Sequence, residues 1–411
     1  MGNFSIALSG LQANSVALNT IGNNLANLNT TAFKGQTTAF EDLFYQQIGQ
    51  SGSGDAIQLG AGTRVSGTST NFTEGTILPD ANANSADMAL AGNGFFVVQQ
   101  SGVQSLTRAG NFQLSSNGNL ITQDGQQVMG YAAVNGVVNQ NSSLTPITIP
   151  VGLNEGAQAT QNFSVTTNLN SNATVGTAFS TPVQIFDSLG QSHQATVSYT
   201  KTATNTWSYS VALPAGDATG VPANNTGTLT FDTSGNLVSP SGSVNNITFP
   251  GLTDGASDLS FNWNLNNSSG KPTISQLAAA SSNTANSQDG FTSGVYQSFV
   301  VDSSGVITAQ FSNGRTSTIG QLAVATVANT AGLTASGGNN FMTTAASGLA
   351  TVGVAGAGGR GTVDDGALEQ SNVNISTEFS NLIVAQRAFE ANSKTVTTFD
   401  TISGDVLSMV R

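Results

Sequence analysis

Near the start of the chain lies FSIALSGLQANSVALNTIGNNLAN, Phe4 to Asn27, and the interpretation of the whole sequence depends on it. Its apolar and small residues recur at alternating steps of four and three, which is a heptad repeat. This repeat predicts a helix with a seam for a partner helix. No proline occurs before Pro79, so nothing interrupts this helix. The N-terminal seam consists of Phe4, Leu8, Leu11, Ser15, Leu18, Gly22 and Leu25.

A second seam with the same steps lies at the other end of the sequence. The spacing predicts one continuous helix from Ile375 to Met409, roughly 50 Å long at about 1.5 Å per residue. Ser376 is the predicted N-cap, and Glu378 lies in the first turn, where a negative charge meets the helix dipole. The C-terminal seam consists of Ile375, Phe379, Leu382, Gln386, Phe389, Ser393 and Val396, and continues through Phe399, Ile402, Val406 and Met409.

The polar faces of both predicted helices are nearly uncharged and carry mainly amides and hydroxyls. A solvated helix face normally carries Lys and Glu, so we expect these faces to have protein neighbours on several sides. The alternative is that each helix packs only on its own domain, which is the commoner fate of an amphipathic helix. The residues concerned are Thr20, Asn23, Asn24 and Asn27 at one end, and Asn381, Asn392, Thr395 and Thr398 at the other.

Between the two ends the pattern changes to short runs of period two, which predict β-strands. Three similar stretches, SSNGNLIT (Ser115–Thr122), DTSGNLVS (Asp232–Ser239) and DSSGVITA (Asp302–Ala309), place a glycine where a tight hairpin needs positive φ. The predicted strands are FFVVQQ (Phe95–Gln100), NLITQ (Asn119–Gln123), ATVSYT (Ala195–Thr200), WSYSVAL (Trp207–Leu213), TLTFD (Thr228–Asp232), FVVD (Phe299–Asp302) and GQLAVATVA (Gly320–Ala328).

This order of elements predicts an α+β multidomain chain with nested, discontinuous domains. The two helical ends of the chain are expected to pair with each other, with mainly-β domains between them. We expect a terminal helical assembly domain from residues 1–70 plus 366–411, and an inner β domain from residues 71–150 plus 285–365. An outer β domain, residues 151–284, is inserted into the inner one.

Composition narrows the possible partners. The chain has 411 residues and a net charge of −12, with only 8% charged residues and ten scattered Lys and Arg. It therefore offers no basic stripe for nucleic acid and no polybasic cluster for anionic lipid. The sequence contains no cysteine, no stretch apolar enough to insert into a membrane, and no positive segment of a secretory signal. We expect export, if it occurs, without a cleaved signal peptide.

The sequence contains no convincing catalytic, cofactor or metal site. GAGGRG (Gly356–Gly361) fits a dinucleotide-binding pattern literally, but no helix pattern follows it, and a flexible connector is the better interpretation. His193 is the only histidine, so any triad or histidine metal site would depend on it alone. Glu41–Asp42 and Asp364–Asp365 are interpreted as solvated acidic pairs closing helical or loop stretches. We therefore expect no enzyme and no cofactor.

Four blocks of the sequence resemble the rod and hook family of bacterial flagellar axial proteins, in that family's order. Ser9–Lys34 is similar to its Asn-rich signature, with Asn23, Asn24, Ala26, Asn27, Asn29, Thr30, Phe33 and Lys34 as the core. The other blocks are Gly92–Val98, Leu106–Tyr131 and Leu368–Val396. The segment of about Val151 to Ser281 is similar only in its β character and in FDSLG (Phe186–Gly190).

The resemblance implies a structural subunit of a hollow helical tube. In it the terminal α-helices form a coiled-coil layer that lines a central channel, and the mainly-β domains lie outside this layer. The inserted middle favours the hook branch, a curved universal joint between rod and filament, over the shorter distal rod proteins. It implies as partners other copies of the chain, a distal rod protein, a hook cap protein, a hook–filament junction protein and a type III export apparatus. A secreted β-rich adhesin is the alternative from another class.

For the assembly interface we expect both seams and the adjacent amides to take part. In such a tube, uncharged amides can bond neighbouring backbones without the penalty of a buried unpaired charge. The expected interface residues are Phe4, Leu8, Leu11, Leu18, Gly22, Asn23, Asn24, Leu25 and Asn27 at one end, and Ile375, Phe379, Leu382, Gln386, Phe389, Val396 and Val406 at the other.

Overall fold

The computed structural model describes residues 2–52, 55–80, 84–152 and 154–409. Contacts divide the chain into two compact units. Unit 1 contains Met1–Val151, Ser298–Ala309 and Ser317–Arg411, and unit 2 contains Gly152–Gln297 and Gln310–Thr316. None of the helices among the described residues is long and apolar enough to cross a membrane.

Two α-helices lie at the ends of the described chain, α1 from Gly2 to Ala26 and α2 from Ile375 to Met409. Both agree with the predicted helices. The strands of the first third of the chain are β1 Gln36–Asp42, β2 Gln46–Gln50, β3 Ala56–Leu59, β4 Thr63–Thr70, β5 Ile77–Pro79, β6 Met88–Ala91, β7 Phe95–Gln100, β8 Val103–Thr107, β9 Gln113–Leu114, β10 Leu120–Ile121, β11 Gln127–Val134, β12 Val137–Val138 and β13 Thr145–Pro146.

The remaining strands complete the two units, together with a short 3₁₀ helix at Thr330–Gly332. Those of the middle third are β14 Asn154–Glu155, β15 Asn162–Asn170, β16 Ala178–Phe186, β17 Ser192–Ala203, β18 Thr206–Ala212, β19 Thr226–Phe231, β20 Leu237–Ser239, β21 Ser243–Phe249, β22 Leu259–Asn264, β23 Ile274–Leu277, β24 Ser282–Gln288 and β25 Gly294–Val301. The last are β26 Val306–Phe311, β27 Thr316–Thr326, β28 Thr334–Gly337, β29 Asn340–Met342, β30 Thr351–Val354, β31 Thr362–Asp365 and β32 Ala367–Glu369.

In unit 1, α1 and α2 pack against each other, and α1 also contacts the antiparallel ladder of β1 and β4. The β core of this unit is built around β7, which pairs with β8, β11 and β27. This β core contains a cluster of three aromatic rings. The ring centroid of Phe72 lies 5.7 Å from that of Phe95 and 5.0 Å from that of Phe341. Two further ladders, β5 with β32 and β6 with β31, join early and late segments of the chain.

Unit 2 is a sandwich of two five-stranded sheets. One has the order β21-β22-β15-β23 with β24 also on β15, and the other runs β16-β17-β18-β19-β20. Alternate residues of β15, β17 and β22 are buried, as the period-two pattern of a half-buried strand requires. The buried faces form one apolar core with Trp207, Trp263 and Tyr199 as its largest fully buried side chains.

All three predicted glycine turns are confirmed. Gly118, Gly235 and Gly305 have φ values of 78°, 82° and 79°, the left-handed region that favours glycine. At Gly235 the backbone also leaves no room, because a Cβ atom there would lie 2.3 Å from the carbonyl oxygen of Gln276. The predicted strands are confirmed as well, in β7, β10, β17, β18, β19, β25 and β27.

The structure corrects the sequence interpretation in two places. The segment after α1 was expected to be helical or irregular around Glu41–Asp42, but these residues end β1 and pair with Arg64 and Thr63 of β4. The N-cap of α2 is Asn374 and not Ser376, because the Asn374 side-chain oxygen accepts from the amides of Ser376 (3.0 Å) and Thr377 (3.1 Å). Strand β1 was not predicted because its sequence is polar and lacks apolar alternation. The N-cap was misplaced because Asn374 and Ser376 are both residue types that cap helices.

Candidate assembly interface

Helix α1 buries one face of mainly small residues within the chain, while its large apolar residues are half-buried or exposed. Its buried positions recur at helical spacing on one face, and glycine at this face brings α2 very close. A Cβ atom at Gly10 would lie 2.8 Å from Nδ2 of Asn392, so the absent side chain lets the two helices approach. The buried residues are Ala7, Gly10, Ala13, Ala17, Thr20 and Asn24.

The N-terminal seam lies on the other side of this helix and is incompletely covered. Phe4 and Leu8 expose 46% and 41% of their surface, which is a large fraction for large apolar side chains. Leu11, Leu18 and Leu25 are half-buried. Gly22 and Asn23 are exposed, so the heptad stripe still has unburied area along the helix.

Helix α2 is covered even less than α1. Ala385 is its buried residue among those described, and Leu382 and Val396 of the C-terminal seam are half-buried. The other predicted seam residues, Ile375, Phe379, Gln386, Phe389 and Val406, are exposed. Two aromatic rings and several aliphatic side chains therefore point away from the rest of the chain.

The asparagines that follow the N-terminal seam have different partners. Asn24 is buried and holds the backbone of Gln36 twice, donating from Nδ2 to its carbonyl oxygen (2.8 Å) and accepting on Oδ1 from its amide (2.9 Å). Asn27 donates to the Asn23 carbonyl oxygen at 2.9 Å and accepts from the Thr30 hydroxyl at 3.0 Å. Asn24 thus ties α1 to the start of β1 within one chain, while Asn23 stays at the surface.

Beside this junction lies a buried charge cluster formed by Lys34, Arg108 and Glu369. The Lys34 Nζ is 2.6 Å from one carboxylate oxygen of Glu369, and the Arg108 Nε is 2.9 Å from the other. Lys34 also donates to the Thr73 carbonyl oxygen at 2.9 Å. Burial lowers the pKa of Lys34 below its usual value, an effect that the contact with Glu369 opposes.

Both oxygens of the Glu369 carboxylate accept hydrogen bonds. Besides the two cations, it accepts from the amide of Gly75 at 2.8 Å. The Arg108 guanidinium in turn donates to the carbonyl oxygens of Leu90 (2.9 Å), Gly92 (2.6 Å) and Gly94 (2.9 Å). The cluster therefore locks the segment after α1 and the segment before α2 onto the β core of unit 1.

The sequence did not predict this cluster. Lys34 stood out only as part of the Asn-rich signature, and its partner Glu369 lies 335 residues away. The available signal was the rarity of charge itself, since an isolated Lys or Glu in a charge-poor chain is a candidate for a buried pair. Asn372 reinforces the same junction by accepting from the Gly35 amide at 2.8 Å and donating to the Asn71 carbonyl oxygen at 2.8 Å.

The weak chemical candidates occupy structural positions. Gly356–Gly361 joins β30 to β31, so a strand follows it where a dinucleotide site requires a helix. Asp364 and Asp365 lie in β31, and Asp365 accepts from the amide of Val301 at 3.2 Å. Glu41 forms an exposed ion pair with Arg64.

Family models match along most of the chain. Residues 4–34 match the Flagella basal body rod protein model, and residues 364–409 match the Flagellar basal body rod FlgEFG protein C-terminal model. Residues 89–168 match the Flagellar hook protein FlgE/F/G D1 domain, and residues 166–291 match the Flagellar basal body protein FlaE D2 domain. The two helical ends and the β regions between them therefore match separate parts of one protein class, the structural proteins of the flagellar axis.

Relatives of similar length narrow this class further. The flagellar hook protein FlgE of Salmonella typhimurium is 35% identical over 99% of both chains, and that of Escherichia coli K12 is 34% identical over 99% of both. The FlgE protein of Treponema pallidum is 31% identical over 98% of both chains. The chain belongs to the flagellar hook protein family.

A solved structure supports the fold. The crystal structure of the Helicobacter pylori flagellar hook protein FlgE2 superposes with a TM-score of 0.55, covering 71% of this chain and 100% of that chain. Sequence identity in this comparison is 15%, so the likeness concerns the fold alone.

Proposed function

We propose that this chain is the structural subunit of a bacterial flagellar hook, and that it polymerises through the outward faces of α1 and α2. The polymer is a curved hollow tube that acts as a universal joint between rod and filament in swimming motility. One observation carries the interface: α1 buries its small residues within the chain and leaves Phe4 and Leu8 of the heptad stripe exposed. An apolar stripe left open in this way is completed by other copies.

Burial of apolar surface drives this association. Each square ångström of apolar area removed from water contributes roughly 25 cal/mol to the free energy of association. Each helix exposes several apolar side chains, and their contribution is repeated in every subunit. Phe379 and Phe389 expose 50% and 37% of their surface and offer the largest contact areas on α2. The proposed interface comprises the two seams and Asn23, with Asn24 and Asn27 holding the helix end in place.

The remaining parts of the proposal concern the other regions and partners. The terminal helical domain (1–70 plus 366–411) forms the inner layer, with the inner (71–150 plus 285–365) and inserted (151–284) β domains outside it. Polar, charge-poor outer surfaces make weak contacts that slide as the tube curves. The subunit leaves the cell through the type III export apparatus without signal cleavage, assembles under a hook cap protein, and meets a distal rod protein and a hook–filament junction protein at its ends.

Leu8→Asp tests the interface. The side chain is exposed in the single chain, so the variant should fold normally, yet a charge buried between subunits without a partner should prevent polymerisation. Gln12→Asp is the matched control, because it adds the same charge to an exposed position of α1 outside the seam. Sedimentation and electron microscopy measure the polymer. Wild-type assembly by Leu8→Asp, or equal loss in Gln12→Asp, would show that the seam is not the interface.

A second experiment tests whether contacts between the outer β domains slide as the tube curves. Cysteine pairs placed on the outer β domains of neighbouring subunits can be oxidised after assembly, and the chain contains no other cysteine to react. We expect the oxidised polymer to become straighter and stiffer in electron micrographs, and reduction to restore curvature. A polymer that bends equally well when cross-linked would contradict sliding outer contacts.

A further inference from the structure

The single histidine of the chain lies in unit 2 among three carboxylates. His193 is in β17 and is 7% exposed. Its Nδ1 is 3.1 Å from Oδ2 of Asp217, and its Nε2 is 3.0 Å from Oδ2 of Asp187 and 3.3 Å from Oδ2 of Asp254. The three aspartates come from three separate loops, which follow β16, follow β18 and precede β22.

The carboxylates divide their two oxygens between separate tasks. Oδ1 of Asp187 accepts from the amides of Leu189 (2.8 Å) and Gln191 (3.0 Å), and Oδ1 of Asp254 accepts from the amide of Ala256 (3.0 Å). In both residues Oδ1 therefore fixes the loop, while Oδ2 faces the imidazole. One oxygen of each of these two carboxylates lies within 4.8 Å of the other.

This geometry favours a positive charge beside the imidazole, because both ring nitrogens face carboxylate oxygens. A neutral imidazole has one N–H, and if Nδ1 donates it to Asp217, the Nε2 lone pair faces two carboxylate oxygens. The contact is repulsive unless a proton or a metal ion lies between them. A proton on the imidazole leaves a net charge of −2 on the four side chains, and none of the Lys or Arg residues that the structure describes forms an ion pair with them.

We propose that Asp187, His193 and Asp254 form a binding site for a divalent first-row transition-metal cation, with Zn²⁺ as the representative ion. Nε2 of His193 and one Oδ2 of each aspartate supply three ligands, and solvent reaches the partly exposed Asp254 to complete the coordination. The three ligand atoms lie within 4.8 Å of one another. Bonds of about 2.1 Å place neighbouring ligands about 3.0–3.4 Å apart, and the two nitrogen–oxygen distances fall in this range.

The fourth residue supplies the orientation that such sites use. A metal-binding histidine commonly donates its other ring N–H to a carboxylate, which fixes the tautomer and the ring. Asp217 occupies that position at Nδ1. One imidazole nitrogen with two carboxylate oxygens favours Zn²⁺, Mn²⁺ or Co²⁺, whereas Ca²⁺ and Mg²⁺ prefer oxygen ligands only. The bound ion joins two loops to strand β17, and Asp217 connects a third loop through His193.

The experiment is a titration of the tag-free, chelator-treated full chain with ZnCl₂ in a calorimeter at about pH 7.5, repeated with CoCl₂ and its visible absorption. Background is low because the sequence has one histidine and no cysteine. We expect one Zn²⁺ per chain and no comparable binding of Mg²⁺. His193→Gln and Asp254→Asn should each abolish the site, and Asp217→Asn should weaken it about 10–100-fold.

Asp258→Asn is the matched control, an exposed aspartate close to Asp254 in the sequence but outside the cluster, and it should bind like the wild type. Thermal unfolding verifies that each variant is folded. If His193→Gln does not fold, Asp254→Asn decides the result, because Asp254 is exposed. Absence of stoichiometric binding by the wild type would overturn the proposal and leave a protonated histidine as the positive charge. Equal binding by wild type and Asp254→Asn would also overturn it, since the ion would lie elsewhere.

Discussion

Glu369 is the residue on which the junction between the helical ends and the β core depends. It is 1% exposed and balances two cations, Lys34 and Arg108. Replacing such a network by apolar residues is often tolerated, but removing one member leaves an uncompensated charge in a low-dielectric site. The cluster is therefore sensitive to single changes.

Glu369→Gln should destabilise unit 1 by about 3–5 kcal/mol, because it removes the counter-ion of Lys34 and Arg108 from a buried site. Urea unfolding of the unassembled chain measures the loss. Arg64→Gln, which breaks the exposed ion pair with Glu41, is the control and should change the free energy of unfolding by less than about 1 kcal/mol. A loss in Glu369→Gln no larger than in the control would show that the buried cluster contributes little.

Asp289 is a carboxylate with a predictable pH dependence. Burial raises its pKa, but hydrogen bonds from the backbone and side chain of Asn162 and the backbone of Gln161 lower it more, so the net pKa lies below the usual value. The amide contacts are 2.8 and 2.9 Å long. The charged form is thus favoured in the folded state.

The stability that Asp289 contributes is fully present above its unfolded pKa, about 3.9, and is lost as the pH falls through the lower folded value. Asp289→Asn should therefore unfold with a smaller dependence on pH between about 5 and 2 than the wild type. Urea midpoints across this range test the prediction. Identical pH profiles for both proteins would contradict it.

At the scale of the element, α1 and α2 are long helices with narrow intramolecular contacts. Helical stability in water comes mostly from packing of an apolar face, and helices with few ion pairs gain little from side-chain pairs. Helix α2 has one ion pair among its described residues, Arg387 with Glu390 at 3.6 Å, and it is exposed. We therefore expect the helices to be less stable than the β core in an isolated chain.

We expect the amides of α1 and α2 to exchange with solvent much faster than those of β17 and β18 in the unassembled chain, because the strands lie over a fully buried core. In the polymer both helices should become protected. Hydrogen exchange with mass spectrometry measures both states. Helices protected as strongly as the sandwich in the monomer would contradict the idea that assembly completes them.

The elements also show how far sequence patterns reach. The bounds of α2 and the positions of the glycine turns were predicted correctly, because a heptad and an x-Gly turn are local and depend on residues a few positions apart. The strands β1 and β4 were missed, because QTTAFED and TRVSGTST lack a clear apolar alternation. Pairing with each other and contact with α1 make them strands.

At the scale of the whole molecule, charge is scarce, and none of the seam residues of the proposed interface is charged. Helix α1 contains no charged residue from Gly2 to Ala26, whereas the chain as a whole carries −12. Added salt screens repulsion between like-charged subunits and leaves apolar contacts intact. An interface held by ion pairs would instead become weaker as salt is added, because salt screens the attraction between opposite charges.

Raising NaCl from about 0.05 to 0.5 M should therefore leave the critical concentration for polymerisation unchanged or lower it. Pelleting assays at a series of protein concentrations give this value. The charged variant Leu8→Asp should stay monomeric at both salt concentrations. A critical concentration that rises steeply with salt would show that ion pairs hold the polymer together.

The sequence by itself determined the two helices with their heptad stripes, seven of the strands, the glycine turns and the resemblance to flagellar axial proteins. These features are local, since periods of 3.6 and 2 residues and turn chemistry are written in near neighbours. Only the tertiary structure decided which face of α1 is buried, since Ala7, Gly10 and Ala17 allow a close helix approach that larger side chains prevent. It alone paired Lys34 with Glu369 and placed three aspartates around His193, because contacts between distant residues depend on how the whole chain folds.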